Sequence, residues 1–260
     1  MKRAFTFVIM ISVIVLGFGG CRSFSRAFNN SGTLFIVDVV PEGNSSADSG
    51  ERSVNVIRRR LDAVGVDGEV RHAGGNRVEV RVFGTPDIDR LRTFLFKTHK
   101  LELRKVVSPP FPQPAKMFPD KEGANASAAP GQLVSPYDER EENGNPQFLI
   151  LEKDPIITGE DLRSAQAVSR TGDDLDYQIS FSLKADGAAK FGEWTERNIN
   201  NYLAVMLDGK VQSVAFIKSR ISDMGEISGR FSKVQAEETA LILNSGYMPW
   251  ELRVVDESKF

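Results

Sequence analysis

The residues that most often carry chemistry are scarce in this chain of 260 residues, which has one cysteine and two histidines. A protein metal site usually needs three or four His, Cys, Asp or Glu ligands at short, characteristic spacings. His72 and His99 fall on separate predicted elements, and neither has a cysteine or a pair of carboxylates at ligand spacing. The sequence therefore predicts that the protein binds no metal and no cofactor.

Two short motifs resemble parts of catalytic or phosphate-binding loops. Gly74-Gly75 is followed by a predicted strand, not by a helix whose N-terminal amides would hold a phosphate. Asp208-Gly209-Lys210 has the residues that a tight hairpin turn requires, so a turn is the favoured interpretation. The acidic residues nearby are scattered over loops, a strand and a helix start: Asp223, Glu226, Glu237 and Glu238. No nucleophile, base and orienting group come together, and we predict that the protein is not an enzyme.

Cys21 lies directly behind an N-terminus that has the three parts of an export signal. Lys2 and Arg3 supply positive charge, residues 5–16 are almost entirely apolar, and residues 17–20 are mostly small. A transmembrane helix needs about 20 apolar residues, so this run is too short for a comfortable span. We therefore predict that residues 1–20 form a cleaved signal peptide.

The segment Phe18-Gly19-Gly20-Cys21 resembles the bacterial lipoprotein box, in which small residues precede a cysteine that is acylated and becomes the mature N-terminus. It departs from the pattern at Phe18, where the family usually has leucine. The resemblance implies an acyl group such as palmitate on Cys21, and a protein held on a membrane face by its lipid. The alternative is an ordinary membrane anchor with an incidental thiol.

The charge of the chain argues against a nucleic-acid partner. The formal net charge is −2, and it falls to −4 without the first twenty residues, which hold two basic residues and no acid. Surfaces that read phosphate backbones usually show a basic excess. The one tight basic cluster, Arg58-Arg59-Arg60, has helical spacing and predicts a solvated helix face. With Cys21 acylated no thiol remains for a disulfide, so stability must come from buried apolar surface.

The order of predicted elements indicates an α+β fold in two domains. Residues 21–33 are small and polar and predict a tether. Residues 34–107 read as strand, helix, strand, strand, helix, strand, which predicts a ferredoxin-like base domain, and the C-terminal strand 250–256 is assigned to the same base. Residues 108–146 are rich in Pro, Ala, Gly, Asn and charge, and predict a flexible linker that lets the two domains move.

Residues 147–249 predict a mixed α+β head domain. Strict alternation over residues 177–183 indicates a half-buried strand. The pattern of residues 185–200 indicates a helix that buries Phe191 and Ile199. An Asp–Gly pair between two apolar runs then predicts a hairpin, and a helix and a last strand follow.

Short motifs along both domains carry a resemblance to a known family. In the base they are Val56-Ile57-Arg58-Arg59-Arg60-Leu61 through Gly65-Val66, Gly74-Gly75-Asn76-Arg77-Val78, and Thr98 to Leu101-Glu102-Leu103-Arg104. In the head they are Leu151-Glu152-Lys153, Ile157-Thr158-Gly159-Glu160-Asp161-Leu162, Ala189-Lys190-Phe191, Leu207-Asp208-Gly209-Lys210-Val211, Ile227-Ser228-Gly229 with Phe231, and Ser245-Gly246 with Pro249. In this order they cover most of residues 34–256. The chain resembles the first periplasmic domain of SecD, a subunit of the bacterial SecDF protein-export complex.

The resemblance implies a base and a head that hinge against each other, and a head that holds the emerging preprotein. The family's proton-conducting carboxylates lie in membrane helices. After Val255 the chain ends at Phe260, and no apolar run long enough to span a membrane follows. We therefore expect a chain without the channel helices, one that does not couple energy by itself.

Large, adaptable apolar side chains of the head and its junction with the base are candidates for contacting a polypeptide, because such surfaces suit varied partners. They are Phe191, Trp194, Phe216, Met224, Met248 and Trp250. The competing interpretation for each is core packing, since aromatic residues at helix or strand period are usually buried. Trp194 and Met224 are the least committed to a core stripe.

Taken together, these patterns predict a lipid-anchored, non-catalytic protein of the bacterial cell envelope that faces the periplasm. Its predicted partner is exported polypeptide or a component of the Sec translocase. The alternative is a structural or assembly lipoprotein that keeps the fold without binding substrate. An enzyme is the third hypothesis, and it would need a deep polar pocket with converging titratable groups.

Overall fold

A computed structural model describes residues 31–41, 48–84, 86–137 and 147–260. The predicted signal peptide, the predicted lipidation site Cys21 and nearly all of the predicted tether lie outside the described residues. Residues 138–146 of the predicted linker lie outside them as well. Within the described ranges, no helix combines the length and the apolar character that a membrane crossing requires.

The described residues form strands and helices in a mixed order. The strands are β1 Gly32–Val40, β2 Gly68–His72, β3 Arg77–Phe83, β4 Leu101–Lys105, β5 Gln132–Tyr137, β6 Gln147–Glu152, β7 Ile157–Thr158, β8 Leu162–Ser169, β9 Tyr177–Leu183, β10 Tyr202–Leu207, β11 Lys210–Phe216, β12 Met224–Phe231 and β13 Glu251–Lys259. The helices are α1 Ser49–Ala63, α2 Ile88–Phe96, α3 Lys121–Ser127, α4 Ala185–Arg197 and α5 Lys233–Ser245, with a 3₁₀ turn at Gly159–Asp161. This mixture confirms the predicted α+β class.

The base is a four-stranded antiparallel sheet in the order β13-β1-β3-β2. Alternate residues of β1, among them Phe35 and Val37, are fully buried, and they share one core with Ile57 of α1 and Leu95 of α2. Both helices therefore pack on the same face of the sheet. This is the ferredoxin-like strand order, in which the C-terminal strand β13 supplies the fourth strand.

Local sequence sets the ends of the base elements. Gly65, just after α1, has φ +67°, which a residue with a Cβ adopts only at a cost. The Asp87 side chain accepts a hydrogen bond from the Arg90 backbone N–H and caps the start of α2. Gly74 and Gly75, both with positive φ, form the turn between β2 and β3. These boundaries agree with the predicted base elements.

The head combines a six-stranded sheet in the order β6-β5-β11-β10-β4-β7 with a three-stranded sheet in the order β12-β9-β8. Its main core lies between them, where Leu103 and Val205 of the large sheet share a cluster with Ile179 and Phe181 of the small sheet and Phe191 of α4. The other face of the large sheet is covered by chain segments around residues 106–118 and by α3. The large sheet is therefore buried on both faces.

The structure corrects the predicted end of the base. β4 pairs with β10 and β7 of the head sheet instead of completing the base sheet. Leu101 and Leu103 are buried in the head core, and β13 occupies the place beside β1 that a base strand would need. The alternating pattern of β4 predicted a strand correctly, but alternation does not say which sheet receives it.

The structure also corrects the described part of the predicted flexible linker, residues 108–137. This part contains α3 and β5, and Asp120 caps α3 by accepting the Gly123 N–H. Phe118 and Ala124 form a small core with Ile150 of β6, and β5 pairs with β6 over its whole length. A few well-placed apolar residues order a segment whose average composition is typical of loops.

Helix α5 belongs to both domains. Ile242 is buried in the base core, whereas Ala236, Ala240 and Leu243 are buried in the head core. Ser232 and Gln235 form a capping box at its start. Base and head therefore meet across a packed helix, and this junction positions the residues described next.

Candidate functional site

Three of the six predicted contact residues are core residues. Met248 is fully buried and Trp250 is 2% exposed in the base core, and Phe191 is 2% exposed in the head core. The Trp250 Nε1–H donates to Ser53 Oγ at 2.7 Å, and the Arg52 guanidinium lies over the indole ring. These three side chains stabilise the fold, and the structure removes them from the candidate contact surface.

Phe216 is half-buried in an aromatic group on the outer face of the six-stranded sheet. Its ring centroid lies 4.7 Å from that of Phe111 and 5.8 Å from that of Tyr202. The Tyr202 hydroxyl donates to the Gln113 carbonyl at 2.6 Å. Phe216 therefore holds the segment around residue 111 on the sheet, and the exposed partner there is Phe111, which the sequence did not single out.

Trp194 is half-buried on α4, where it packs against the head core. The next residue, Thr195, is buried; its Oγ1 donates to the Phe191 carbonyl and accepts the Ile221 N–H at 2.9 Å. These bonds attach the loop before β12 to α4. Trp194 thus helps to close the core, and only part of its ring is available to a partner.

Met224 is the predicted contact residue that the structure leaves largely exposed, at 65%. It begins β12, an edge strand of the three-stranded sheet, and lies opposite Ser182 of β9. Ser182 lies in turn opposite Ser164 of β8, and their hydroxyls are 2.7 Å apart. Met224 therefore stands as a flexible apolar side chain on a polar face of the head.

A basic cleft between base and head is a feature that the sequence did not predict. It encloses about 370 Å³ between α1, the Gly159–Asp161 turn, the start of β8 and the end of α5. Four cationic side chains line it: Arg52, Arg59, Arg163 and Lys184. Arg52 and Arg59 share one helix face at a spacing of seven residues, a signal that was readable, but the other two come from separate elements.

The opposite side of the junction is closed around Arg60, which has no exposed surface. Its Nη1 donates to the carbonyls of Leu95 and Lys97 at 2.6 Å each, and its Nε donates to Ser245 Oγ at 3.0 Å. Arg60 therefore joins α1 to the C-terminal ends of α2 and α5. This corrects the prediction of a solvated face for the third arginine of the cluster.

Asp208 joins the two domains where the chain passes from α2 to β4. Its carboxylate accepts hydrogen bonds from Thr98 Oγ1, the His99 ring and the Lys100 N–H, at 2.8 to 3.1 Å. Burial acts to raise the pKa of Asp208. The hydrogen bond and charge of His99, together with the hydrogen bonds from the Lys100 backbone and the Thr98 side chain, outweigh the effect of burial and hold the pKa below its usual value. Asp208 and Gly209 have φ +50° and +78°, as the predicted hairpin turn requires.

The groups at the junction can act through charge and packing. Across the part of the chain that the structure describes, no three His, Cys, Asp or Glu side chains are grouped so that they could hold a metal ion. The Asp208–His99 pair joins structural elements and sits in a turn. The cleft offers hydrogen-bond donors of positive charge, and the head offers an exposed methionine at a strand edge.

Comparisons with known proteins all point to SecD or SecDF proteins. Residues 134–250 match the family model "SecDF, P1 head subdomain". The protein translocase subunit SecD of Aquifex aeolicus is 35% identical over 208 residues, which are 79% of this chain and 38% of that protein. SecD of Koribacter versatilis is 34% identical over 80% of this chain and 38% of its own length, and SecD of Elusimicrobium minutum is 32% identical over 87% and 50%. The chain thus spans half or less of the length of these relatives.

Solved structures show the same fold. A crystal structure of SecDF in a super-membrane-facing form is similar over 88% of this chain and 30% of the SecDF chain, with a TM-score of 0.65 and 25% sequence identity. A SecDF structure described as that of a membrane component that enhances protein export matches 86% of this chain and 98% of its own, with a TM-score of 0.63 and 25% identity. The family match, the relatives and these structures together support a SecD periplasmic domain.

Proposed function

We propose that this chain, as a SecD-type periplasmic domain, is a non-catalytic binding module of protein export that contacts exported polypeptide or a component of the Sec translocase. The relatives that support this role are named as translocase subunits, and their similarity extends over about four fifths of the chain. The proposed location is the bacterial cell envelope, on a membrane and facing the periplasm.

The observation that carries the proposal is the exposed edge of the head at Met224. A methionine that is 65% exposed is a flexible, polarizable contact that adapts to different apolar side chains. It stands at the start of β12, and an edge strand offers backbone N–H and C=O groups to an extended chain. An exported polypeptide is unfolded and varied in sequence, so a contact through backbone and one adaptable side chain fits it.

The test is photocrosslinking in cells that are exporting protein. A photoreactive amino acid replaces Met224 in one strain and Val255 in a control strain, because Val255 is also an exposed apolar residue but lies on β13 of the base. We expect nascent exported chains or translocase subunits to be captured from position 224 and not from position 255. Capture of neither class from position 224, or equal capture from both positions, would reject the role.

The lipid anchor is a separate part of the proposal. Cys21 is the single cysteine and follows a sequence that resembles a lipoprotein box. Labelling of cells with a palmitate analogue is expected to mark the wild-type protein and not Cys21→Ser. Equal labelling of both proteins would show that Cys21 is not the acylated residue.

A scaffold role is the second candidate, and the burial of the predicted contact residues favours it. Phe191, Met248 and Trp250 lie in cores, so half of the predicted contact residues are not available to a substrate. A protein that kept the fold for envelope assembly would show mature envelope proteins in the same crosslinking experiment. The proteins captured from position 224 therefore distinguish the two roles.

A further inference from the structure

We propose that the cleft between base and head binds an acidic, extended stretch of polypeptide through its cationic side chains. The inference rests on the proposed function in taking a polypeptide as the partner, and it adds the chemistry that the polypeptide must carry. The volume of the cleft, about 370 Å³, is at the lower end of the roughly 300–1,000 Å³ that is typical of ligand sites.

The two walls of the cleft come from different domains. On the base side, Arg52, Asn55 and Arg59 follow one face of α1 because residues three, four and seven apart lie above each other on a helix. On the head side, Arg163 stands near the start of β8 and Lys184 immediately before α4. A ligand that bridges the walls would therefore contact base and head at once.

The charge of the lining is strongly one-sided. Among the lining residues, four are cationic and one, Glu160, carries a carboxylate. The chain as a whole has a net charge of −2, so the excess is local to this cleft. A groove lined by one sign of charge focuses its field on an oppositely charged ligand.

Among the residues that the structure describes, no carboxylate lies at hydrogen-bond distance from three of the four cations. Lys184 Nζ donates to the main-chain carbonyl of Glu160 at 2.7 Å, and Arg163 Nε donates to Ser182 Oγ, with its Nη2 3.8 Å from Asp223. Arg59 has no hydrogen-bond or ion-pair partner within the described residues. Only Arg52 is paired closely, to Glu160 at 2.7 Å.

Gly246 leaves room for the Arg59 guanidinium beside the end of α5. A Cβ at this position would stand 2.7 Å from Arg59 Nη2, which is too close for two heavy atoms that are not bonded. The guanidinium therefore lies over a glycine at the end of α5, with its other donors open. A guanidinium presents a pair of N–H groups that matches a carboxylate.

The spread of the charges favours a chain with several carboxylates over a single phosphate. Arg52 and Arg59 are two helical turns apart, which is roughly 10 Å along α1. Acidic side chains on one face of an extended chain recur about every 7 Å. Two or three such carboxylates can meet cations along the cleft, whereas one phosphate reaches only the donors around it.

The strand edge beside the cleft already holds a peptide-like group. The Asn244 side-chain amide donates to the Ala165 carbonyl, and its oxygen accepts the Ala165 N–H, both at 2.8 Å. This carboxamide takes the place that a neighbouring strand would take on β8. At Ala165 the edge of β8 is therefore already paired, and the proposed contacts of an entering chain are those of its side-chain carboxylates with the cations of the cleft.

The experiment measures fluorescence anisotropy of labelled ten-residue peptides with the full chain purified in a mild non-ionic detergent. One peptide alternates Glu with Ser, and the matched peptide has Gln at every Glu position. We expect the Glu peptide to bind at least about tenfold more tightly, and its affinity to fall as salt is raised, because ion pairs in an open cleft are screened. Equal affinity for the two peptides would overturn the inference.

Variants locate the binding. Arg59→Gln is expected to weaken binding of the Glu peptide about fivefold to tenfold, since it removes one charge-assisted contact. Arg58→Gln is the matched control, because Arg58 lies on the same helix but does not line the cleft; it donates to the Val70 carbonyl and, at 3.5 Å, to Asn55 Oδ1. Both variants must unfold at the wild-type urea concentration for the comparison to count, and Arg197→Gln, an exposed residue of α4, replaces the control if Arg58→Gln does not. Equal loss in Arg59→Gln and the control would overturn the inference.

Two further ligands distinguish other sources of negative charge. Inorganic phosphate is added as a competitor, and vesicles with anionic phospholipid are added in place of peptide. Binding of phosphate or vesicles without binding of the Glu peptide would overturn the inference. Failure of peptide binding while position 224 still captures exported chains rejects the cleft alone, and the reverse result rejects the export role alone.

Discussion

The two sides of the base–head junction use the same residue type in opposite ways. Arg60 is fully buried on the closed side, and Arg59, its neighbour in α1, is exposed in the open cleft. Consecutive helix residues point about 100° apart, so the two guanidinium groups meet different surroundings. The contrast teaches that what covers a helix face, and not the residue type, decides whether an arginine stabilises the fold or remains ready for a ligand.

The closed side stabilises a buried cation to which no carboxylate of the described ranges is directly bonded. Arg60 donates to carbonyl groups at the C-terminal end of α2, where the helix dipole is negative and carbonyls lack helical partners. Burial lowers the pKa of Arg60 to about 9, and the charge of Asp208 opposes the shift. The side chain therefore remains protonated at neutral pH.

The largest expected effect comes from breaking the closed side. Arg60→Ala leaves the carbonyls of Leu95 and Lys97 and the Ser245 hydroxyl oxygen without the N–H groups that donate to them, and it opens a cavity. We expect the free energy of unfolding to fall by about 3 to 4 kcal/mol, from buried unsatisfied groups and lost packing. Urea unfolding followed by tryptophan fluorescence measures it. A loss below about 1 kcal/mol would show that the closed side does not depend on this side chain.

A smaller loss is expected when the Asp208 connection is weakened. Asp208→Asn keeps the turn, because asparagine tolerates the positive φ. It removes the negative charge of the carboxylate that accepts hydrogen bonds from Thr98, His99 and Lys100. We expect a loss of about 1 to 2 kcal/mol at pH 7.

The pH dependence of that loss follows from the lowered pKa of Asp208. The folded state holds its carboxylate ionised more strongly than the unfolded state does, so its stabilisation is present above the unfolded pKa of about 3.9. The stabilisation is lost as pH falls through the lower folded pKa. Unfolding curves at pH 7 and pH 3 should therefore show a smaller difference between wild type and variant at pH 3. The same difference at both values would contradict the assignment.

On the open side, replacing Glu160, the acidic residue of the cleft lining, tests the contrast between the two sides. The Arg52–Glu160 pair is 40% and 61% exposed, so Glu160→Gln should lower the free energy of unfolding by about 0.5 kcal/mol or less. The same change frees Arg52 for a ligand and should tighten binding of the acidic peptide about threefold. Stability is measured by urea unfolding at low and high salt, and binding by anisotropy. Weaker peptide binding in Glu160→Gln would contradict the role given to the cleft charge.

The smallest effect on stability is expected for Arg59→Gln. Arg59 is exposed and without a hydrogen-bond partner in the described ranges, so its replacement should change the free energy of unfolding by no more than about 0.5 kcal/mol. Paired with Arg60→Ala in the same unfolding assay, it tests the contrast directly. A loss comparable to that of Arg60→Ala would show that the open side is structural as well.

The candidate site was readable from the sequence only in part. Met224 was among the predicted contact residues and is exposed, but Trp250 and Met248 were predicted with it and are core residues. Apolar side chains near a domain boundary give the same sequence pattern whether they face solvent or the other domain. The basic cleft was missed because its cations come from α1, β8 and the start of α4, which only the fold brings together.

The sequence by itself determined most element types and several of their ends. The alternation of β9, the helical period of α1 and the Asp208-Gly209 turn follow from local preferences of backbone and side chain, which each segment expresses alone. Strand β8 and the ordered segment with α3 and β5 were not predicted, since their patterns are short and their apolar residues few.

Only the tertiary structure decided the partners of these elements. It placed β4 in the head sheet and β13 in the base, buried Arg60 while leaving Arg59 open, and shared α5 between two cores. The physical reason is that periodicity shows which face of an element is apolar, whereas the surface that covers this face comes from residues far away in the chain. Burial of a charge is decided by those distant residues, because they supply the carbonyl groups that make it tolerable.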